Sequence, residues 1–185
     1  MAMSEEPFSV RRIVAGENAE GRSIVLADGI VPVVNGTADY LQIAELWRTD
    51  GGANEIPAHR DAVDASVSDI KPPAGGTRFV IEVAHPEGGE GRSEDAVRRM
   101  FEAISGTGSR TEARPGEHPG MHRTDTIDYI VVLKGEIDFI LETGEVHLTE
   151  GDMIVDTGVN HSWANRSGKP CVLAAVMIGM ERGGA

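Results

Sequence analysis

Short apolar stretches that alternate with polar positions dominate the second half of this 185-residue chain. Glycine turns at Gly135, Gly144 and Gly151 separate several of them. The stretches read TIDYIVVL, EIDFILE, EVHLT, DMIVD and KPCVLAAVMIGM. Successive side chains of a strand point to opposite faces, so this series predicts an antiparallel sandwich or barrel over residues 111–182.

The first half of the chain has weaker patterning. VRRIVA, RSIVLAD and TRFVIEVAH predict strands, the last with Phe79, Ile81 and Val83 on one face. YLQIAELWRT fits a strand or a helix, and we interpret it as a strand. We expect residues 1–110 to pack strands, a loop and a helix onto the barrel, within one domain.

One segment has a clear helical pattern, SEDAVRRMFEAIS. Ser93 is a candidate N-cap, and an apolar stripe follows that is more typical of core packing than of cofactor contact. The stripe consists of Val97, Met100, Phe101 and Ile104. The helix and the proline-broken loop at 51–76 either cover the barrel mouth or mediate a dimer.

Charge and cysteine content narrow the range of partners. The net charge of −13 disfavours nucleic acid and anionic membranes, since both require clustered cations. The single cysteine, Cys171, allows no disulfide within the chain and favours a reducing compartment. With no apolar leader at its start, the protein is expected to be cytoplasmic.

Three polar side chains are singled out among those that share the strand parity of the core residues Ile130 and Val132. They are His122, Thr124 and Asp128, and in an extended chain they point into the barrel. Burying an imidazole or a carboxylate without a partner costs several kcal/mol. A metal, a bound ligand or mutual hydrogen bonding would each supply that partner.

The spacing of these residues resembles two motifs of the cupin family. The first motif runs from Gly116 through His122 to Gly135, with Thr124 where the family has His and Asp128 where it has Glu. The second runs from Gly151 and Gly158 to His161 and Asn165. HRTDTIDY, GDMIVDTG and NHSWAN also resemble a subgroup of small single-domain cupins.

The resemblance implies an all-β fold, a double-stranded β-helix or jelly-roll barrel. It also implies a mononuclear metal held by His122, Asp128 and His161, because Thr124 cannot replace an imidazole. Two histidines and one carboxylate suffice for Fe(II), Mn(II) or Zn(II) with open coordination positions. Asp128 is one methylene shorter than Glu, which limits its reach.

By this resemblance the function is that of a small-molecule enzyme, with Asp128 and His161 as catalytic residues. Thr124, Trp163 and His118 are the expected substrate-binding residues, although His118 either reaches the site or is exposed. Substrates would be small organic acids, ketones or aromatic or polyketide-like compounds. Decarboxylation, dehydration, isomerisation and dioxygenation all fit, and a homodimer is expected.

Two alternatives remain open at this level. One is a metal-free acid/base enzyme, and the other is a non-catalytic cupin that binds or senses a ligand. His122 and His161 would be plain core histidines if neither held. His59, His85 and His147 have no partner spacing and are expected at the surface.

Overall fold

Three antiparallel sheets, of six, three and two strands, and one α-helix form the described part of the protein, for which a computed structural model describes residues 9–31, 35–52, 60–63, 69–88, 91–104 and 107–183. The first strands are β1 (Val10–Glu17), β2 (Ser23–Val31), β3 (Asn35–Gly36), β4 (Leu41–Thr49) and β5 (Thr77–Ala84). Helix α1 (Glu94–Ala103) follows. The last strands are β6 (Thr126–Lys134), β7 (Glu136–Leu141), β8 (Gly144–Thr149), β9 (Met153–Asp156), β10 (His161–Ala164) and β11 (Cys171–Gly179).

The larger sheet has six strands in the order β3-β4-β5-β11-β6-β9, and the smaller has three in the order β10-β7-β8. Strand β11 pairs with β5 on one side and with β6 on the other, so strands from both halves of the chain form one sheet. The predicted all-β jelly-roll fold with one short helix is confirmed. YLQIAELWRT is a strand, as we interpreted it.

One hydrophobic core fills the space between the two sheets. Its buried residues include Val80 and Leu173 from the larger sheet, Ile137 and Phe139 from the smaller sheet, and Phe101 from the helix. The first half of the chain therefore contributes to the same core as the barrel strands.

The hairpin of β1 and β2 packs on the outer face of the larger sheet. Val31 forms a second apolar cluster there with Ala44, Leu46, Ile81 and Val172. Strand β5 is consequently apolar on both faces. Ile81 faces this outer cluster, whereas Val80 and Ala84 face the core.

Helix α1 begins as the sequence predicts. The Ser93 side chain accepts a hydrogen bond from the backbone N–H of Ala96 at 3.2 Å, which caps the first turn. Val97, Met100 and Phe101 are buried, so the stripe packs in the core. In the part of the chain that the structure describes, no helix is long and apolar enough to cross a membrane.

Candidate active site

A cavity of about 100 Å³ lies between the two sheets, beneath helix α1. The second half of the chain contributes His122, Asp128 and His161 to its lining. The first half contributes Tyr40, Glu82, Phe101 and others. An engineered apolar cavity of roughly 150 Å³ accepts benzene, so this cavity suits a small molecule.

His122 and His161 face each other across an isolated antiparallel bridge. The backbone N–H of His122 donates to the carbonyl oxygen of His161 at 2.8 Å, and the reverse bond measures 3.0 Å. Residues directly opposite in such a bridge bring their side chains together. The two imidazole centroids lie 4.3 Å apart.

The His122 ring is fixed by a backbone contact and an aromatic one. Its Nδ1 lies 2.9 Å from the carbonyl oxygen of Gly120, and this acceptor assigns the proton to Nδ1. The Phe101 ring approaches edge-on, with centroids 5.4 Å apart. Burial, reinforced by His161, lowers the pKa of His122 to about 3. His122 is therefore neutral near pH 7, with the lone pair of Nε2 free.

His161 has a carboxylate behind it. Its Nδ1 lies 3.0 Å from the carbonyl oxygen of Val159, which accepts its hydrogen bond, and 3.0 Å from Oδ2 of Asp156. The other oxygen of Asp156 accepts hydrogen bonds from the backbone N–H groups of Gly158 and Val159. Both side chains are almost fully buried, at 4% and 0% exposure. Among the described residues, Oδ2 of Asp156 has no hydrogen-bond partner, so the carboxylate acts on the ring through its charge at 3.0 Å.

Asp128 lines the same cavity, but its Oδ1 is buried without a hydrogen-bond partner among the described residues. Burial raises the pKa of Asp128 to about 6, and the nearby Asp156 adds to that effect. Strand β9 pairs with β6 so that these two residues lie opposite each other.

The predicted metal ligands are only partly assembled. His122 and His161 lie together with Nδ1 anchored, as metal-binding histidines commonly do. Within the residues that the structure describes, however, no three His, Cys, Asp or Glu side chains come close enough to hold a metal ion. The short side chain of Asp128 does not complete a third ligand, so the donor set fits a resident metal poorly.

Glu82 is the ionisable residue that sequence analysis missed. It lines the cavity from β5, where it lies on the same strand face as the core residues Val80 and Ala84. Burial raises the pKa of Glu82 to about 7, with a smaller contribution from Asp128. Both faces of β5 are apolar, so strand alternation gave no signal that places Glu82 inside.

The three predicted substrate-binding residues have different positions. Thr124 and Trp163 line the cavity. The ring centroids of Trp163 and Phe139 lie 4.7 Å apart. His118 is neither exposed nor a further metal ligand, because its Nδ1 lies 2.7 Å from Ser162 Oγ and its Nε2 3.3 Å from Glu87 Oε2. Both ring nitrogens are already engaged.

The three histidines expected at the surface also differ. His147 is exposed. The expectation for His85 is wrong, since it is half-buried, lines the cavity and lies 2.8 Å from Gln42 Oε1. His59 lies outside the described residues, as do residues 53–58 and 64–68 of the loop at 51–76. The described residues Ile70 and Lys71 of that loop do line the cavity.

Comparisons with known proteins give local matches. Residues 109–178 match the cupin domain family. A phomopsin biosynthesis cluster protein, C', of Diaporthe leptostromiformis is 54% identical over 57 residues, which cover 30% of each chain. The cupin-domain-containing oxidoreductase srdD of Neurospora crassa is 34% identical over 64 residues, covering 34% of this chain and 33% of that one. The chain thus spans about a third or less of the length of these relatives.

Two solved structures resemble the fold at low sequence identity. A cupin 2 conserved barrel domain protein from Salinispora arenicola has a TM-score of 0.43 and 14% identity, covering 82% of this chain and 89% of that one. A cupin domain of an XRE family transcriptional regulator from Enterobacter cloacae has a TM-score of 0.40 and 13% identity, covering 77% and 100%. The family match falls on the strands that carry His122 and His161, so residues 109–178 are similar to a cupin domain.

Proposed function

We propose that this protein is a small-molecule enzyme that catalyses proton transfer, with His161 as the base and Asp128 as an acid. The observation that carries the proposal is the buried pair of His161 and Asp156, which opens on a cavity also lined by Asp128 and Glu82. Carboxyls with raised pKa values beside an imidazole base are a common arrangement for acid/base catalysis.

His161 has the geometry of a general base. Its Nδ1–H is held by Val159 and faces Asp156, so Nε2 has the free lone pair that accepts a proton. The Asp156 carboxylate then compensates the charge of the imidazolium. His122 stays neutral across the bridge and adds no positive charge that would oppose this protonation.

The carboxyls complete the proton transfer. Asp128, with a pKa raised to about 6, is a neutral donor in mildly acidic solution. Glu82, with a pKa raised to about 7, remains partly protonated at neutral pH. A base and an acid in one cavity support isomerisation or dehydration of a small carbonyl compound.

The size and lining of the cavity restrict the substrate. Phe101 and Trp163 line the cavity beside the two histidines and favour a flat or short apolar body. A volume of about 100 Å³ favours a small acid or ketone over an extended polyketide. Relatives named for phomopsin and oryzines biosynthesis clusters also support small-molecule chemistry.

A proton-exchange experiment tests the proposal. In deuterated water, a panel of ketones, keto acids and hydroxy acids of up to about six non-hydrogen atoms is followed by proton NMR. We expect enzyme-dependent exchange next to a carbonyl group, slowed about 100-fold or more in His161→Gln and Asp156→Asn. The exposed His147→Gln is the matched control and should retain the wild-type rate.

Binding of a panel compound without exchange would contradict the enzyme and favour the sensing alternative. The same measurement in folded variants, checked by circular dichroism, separates loss of chemistry from loss of structure.

The metal-dependent enzyme is the second candidate, favoured by the two anchored imidazoles whose Nε2 atoms are free. Elemental analysis of the purified protein, before and after incubation with Fe(II), Mn(II) and Zn(II), tests it. The incomplete ligand set predicts less than one metal per chain. Stoichiometric metal that is lost in His122→Ala and His161→Ala would instead establish the metal enzyme.

Two further predictions accompany the proposal. The homodimer and the cytoplasmic location remain predictions from the sequence. The hairpin of β1 and β2 exposes Ile13, Val25 and Ile30.

A further inference from the structure

A second chemical cluster lies at the edge strand β10, around Ser162. Ser162 Oγ lies 2.7 Å from His118 Nδ1, and His118 Nε2 lies 3.3 Å from Glu87 Oε2. Ser162 is 1% exposed, and the side chains of His118 and Glu87 are 10% and 6% exposed. A serine, a histidine and a glutamate thus form one buried hydrogen-bonded series.

The hydrogen-bond network assigns the protons in this series. The backbone N–H of Gly120 donates to His118 Nδ1 at 3.1 Å, so that nitrogen has the lone pair. The Nε2–H of His118 therefore faces Glu87, and the Ser162 hydroxyl donates to Nδ1. The proton of Ser162 thus points at the lone pair of Nδ1, which also accepts from the Gly120 N–H.

Gly120 opens this cluster to the cavity. A Cβ atom there would lie 2.8 Å from Ser162 Oγ, 3.0 Å from the Tyr40 hydroxyl oxygen and 3.2 Å from His118 Nδ1. Gly120 is not among the positive-φ glycines, so its backbone does not require glycine. Ser162, Gly120, Glu87 and Tyr40 line the cavity, whereas His118 lies behind them.

We propose that Ser162 is the nucleophile of an acyl-transfer site that hydrolyses small esters, with His118 as its base and Glu87 as the residue that orients His118. This activity is independent of the proton transfer proposed for His161. The arrangement meets the geometric criterion for an activated serine, a hydroxyl within hydrogen-bond reach of a base that a third group orients.

The reaction proceeds in two halves. Ser162 Oγ bonds to the ester carbonyl carbon, its proton moves to His118 Nδ1, and the carbonyl electron pair moves to oxygen. The bond to the leaving oxygen breaks, and His118 returns the proton to the released alcohol. Water then attacks the acyl-serine with His118 taking a proton, and Ser162 leaves with that proton to give a carboxylic acid.

Tyr40 supplies a donor for the negative carbonyl oxygen of the intermediate. Burial raises the pKa of Tyr40 to about 12, so its hydroxyl keeps its proton. The Arg92 guanidinium lies 4.2 Å from the centre of the Tyr40 ring and fixes its orientation. A fixed, partly desolvated hydroxyl is an effective oxyanion donor.

Labelling with a fluorophosphonate probe tests the proposal. We expect a single adduct that peptide mass spectrometry places on Ser162, and no adduct in Ser162→Ala. His118→Gln should slow labelling about 100-fold or more, because the base is lost. Ser167→Ala, which removes a serine outside the cluster, is the matched control and should label like the wild type. Hydrolysis of ethyl acetate, followed by proton NMR, should follow the same order.

Two results would overturn the proposal, each with folding verified by thermal melting. One is a wild-type protein that the probe leaves unlabelled. The other is labelling of Ser162 at an unchanged rate in His118→Gln. Gly120→Ala gives a further check, since its Cβ would lie 2.8 Å from Ser162 Oγ and should block the probe.

Discussion

The two walls of the cavity differ in what they contribute. The motif wall, formed by residues 120–177, carries the imidazoles of His122 and His161 and the carboxyl of Asp128. The N-terminal wall, formed by residues 40–109, carries Glu82, Phe101 and several other polar and apolar residues. The family match covers residues 109–178 and thus almost none of the N-terminal wall. The family match therefore gives no account of the wall that carries Glu82 and Phe101.

The largest expected effect tests whether the two walls share one core. Phe101 and Ile137 are each 2% exposed and lie in opposite walls of the same hydrophobic cluster. Phe101→Ala should cost about 3–5 kcal/mol of the free energy of unfolding, and Ile137→Ala about 2–5 kcal/mol. Urea denaturation followed by fluorescence and circular dichroism measures both.

A shared core also requires a single unfolding transition in both variants. If Phe101→Ala costs under about 1 kcal/mol, or melts in a separate early transition, the N-terminal wall is a detachable cover. In that case the two walls would not share one core, and the motif wall would remain folded without the N-terminal wall.

Sequence patterns predicted the motif wall because its inward-facing residues lie close together along one strand. His122 and Asp128 follow the parity of Ile130 and Val132, and β6 is apolar on the cavity side only near its centre. Glu82 could not be assigned in this way. The hairpin of β1 and β2 covers the outer face of β5, so both faces are apolar and alternation does not show which one is inside.

The other residues that the sequence did not predict are polar partners that lie far from the histidines along the chain or across a turn. Glu87 and Ser162 lie 31 and 44 positions from His118, so spacing alone gave no sign that they enclose it. Asp156 was part of a quoted motif, but its role depends on the turn that brings His161 back toward it. The fold and the paired histidines were predictable, whereas the polar partners of the histidines were not.

The next largest effect is a difference between the two walls in how the free energy of unfolding depends on pH. Burial raises the pKa of Glu82 from 4.5 to about 7, so the folded protein takes up this proton before the unfolded chain does as the pH falls. The raised pKa of Glu82 contributes to the free energy of unfolding fully below pH 4.5. That contribution is lost as the pH rises through about 7, where the buried carboxyl ionises. Glu82→Gln should therefore match the wild type near pH 5 and exceed it at pH 8, by on the order of 2–3 kcal/mol.

Thermal melts between pH 5 and pH 8 check this difference, with the exposed Glu150→Gln as the matched control. Asp128→Asn in the motif wall should show the same sign at lower pH, because the pKa of Asp128 is raised only to about 6. A stability difference for Glu82→Gln that does not change with pH would mean that Glu82 is not the buried carboxyl of the N-terminal wall.

The smallest effect concerns how the N-terminal wall is held in place. Arg92 donates to the carbonyl oxygens of Asp39 at 2.6 Å and His85 at 2.7 Å, and its guanidinium stacks on the Tyr40 ring. Lysine keeps the charge but lacks the planar fork that reaches both carbonyls, so Arg92→Lys should cost about 1 kcal/mol. Arg11→Lys, in an exposed pair with Asp28, should change the free energy of unfolding by less than about 0.5 kcal/mol. If the two substitutions are equally neutral in chemical denaturation, backbone packing alone holds Tyr40 over the cavity, and the N-terminal wall owes its order to the apolar contacts of Phe101 and its neighbours.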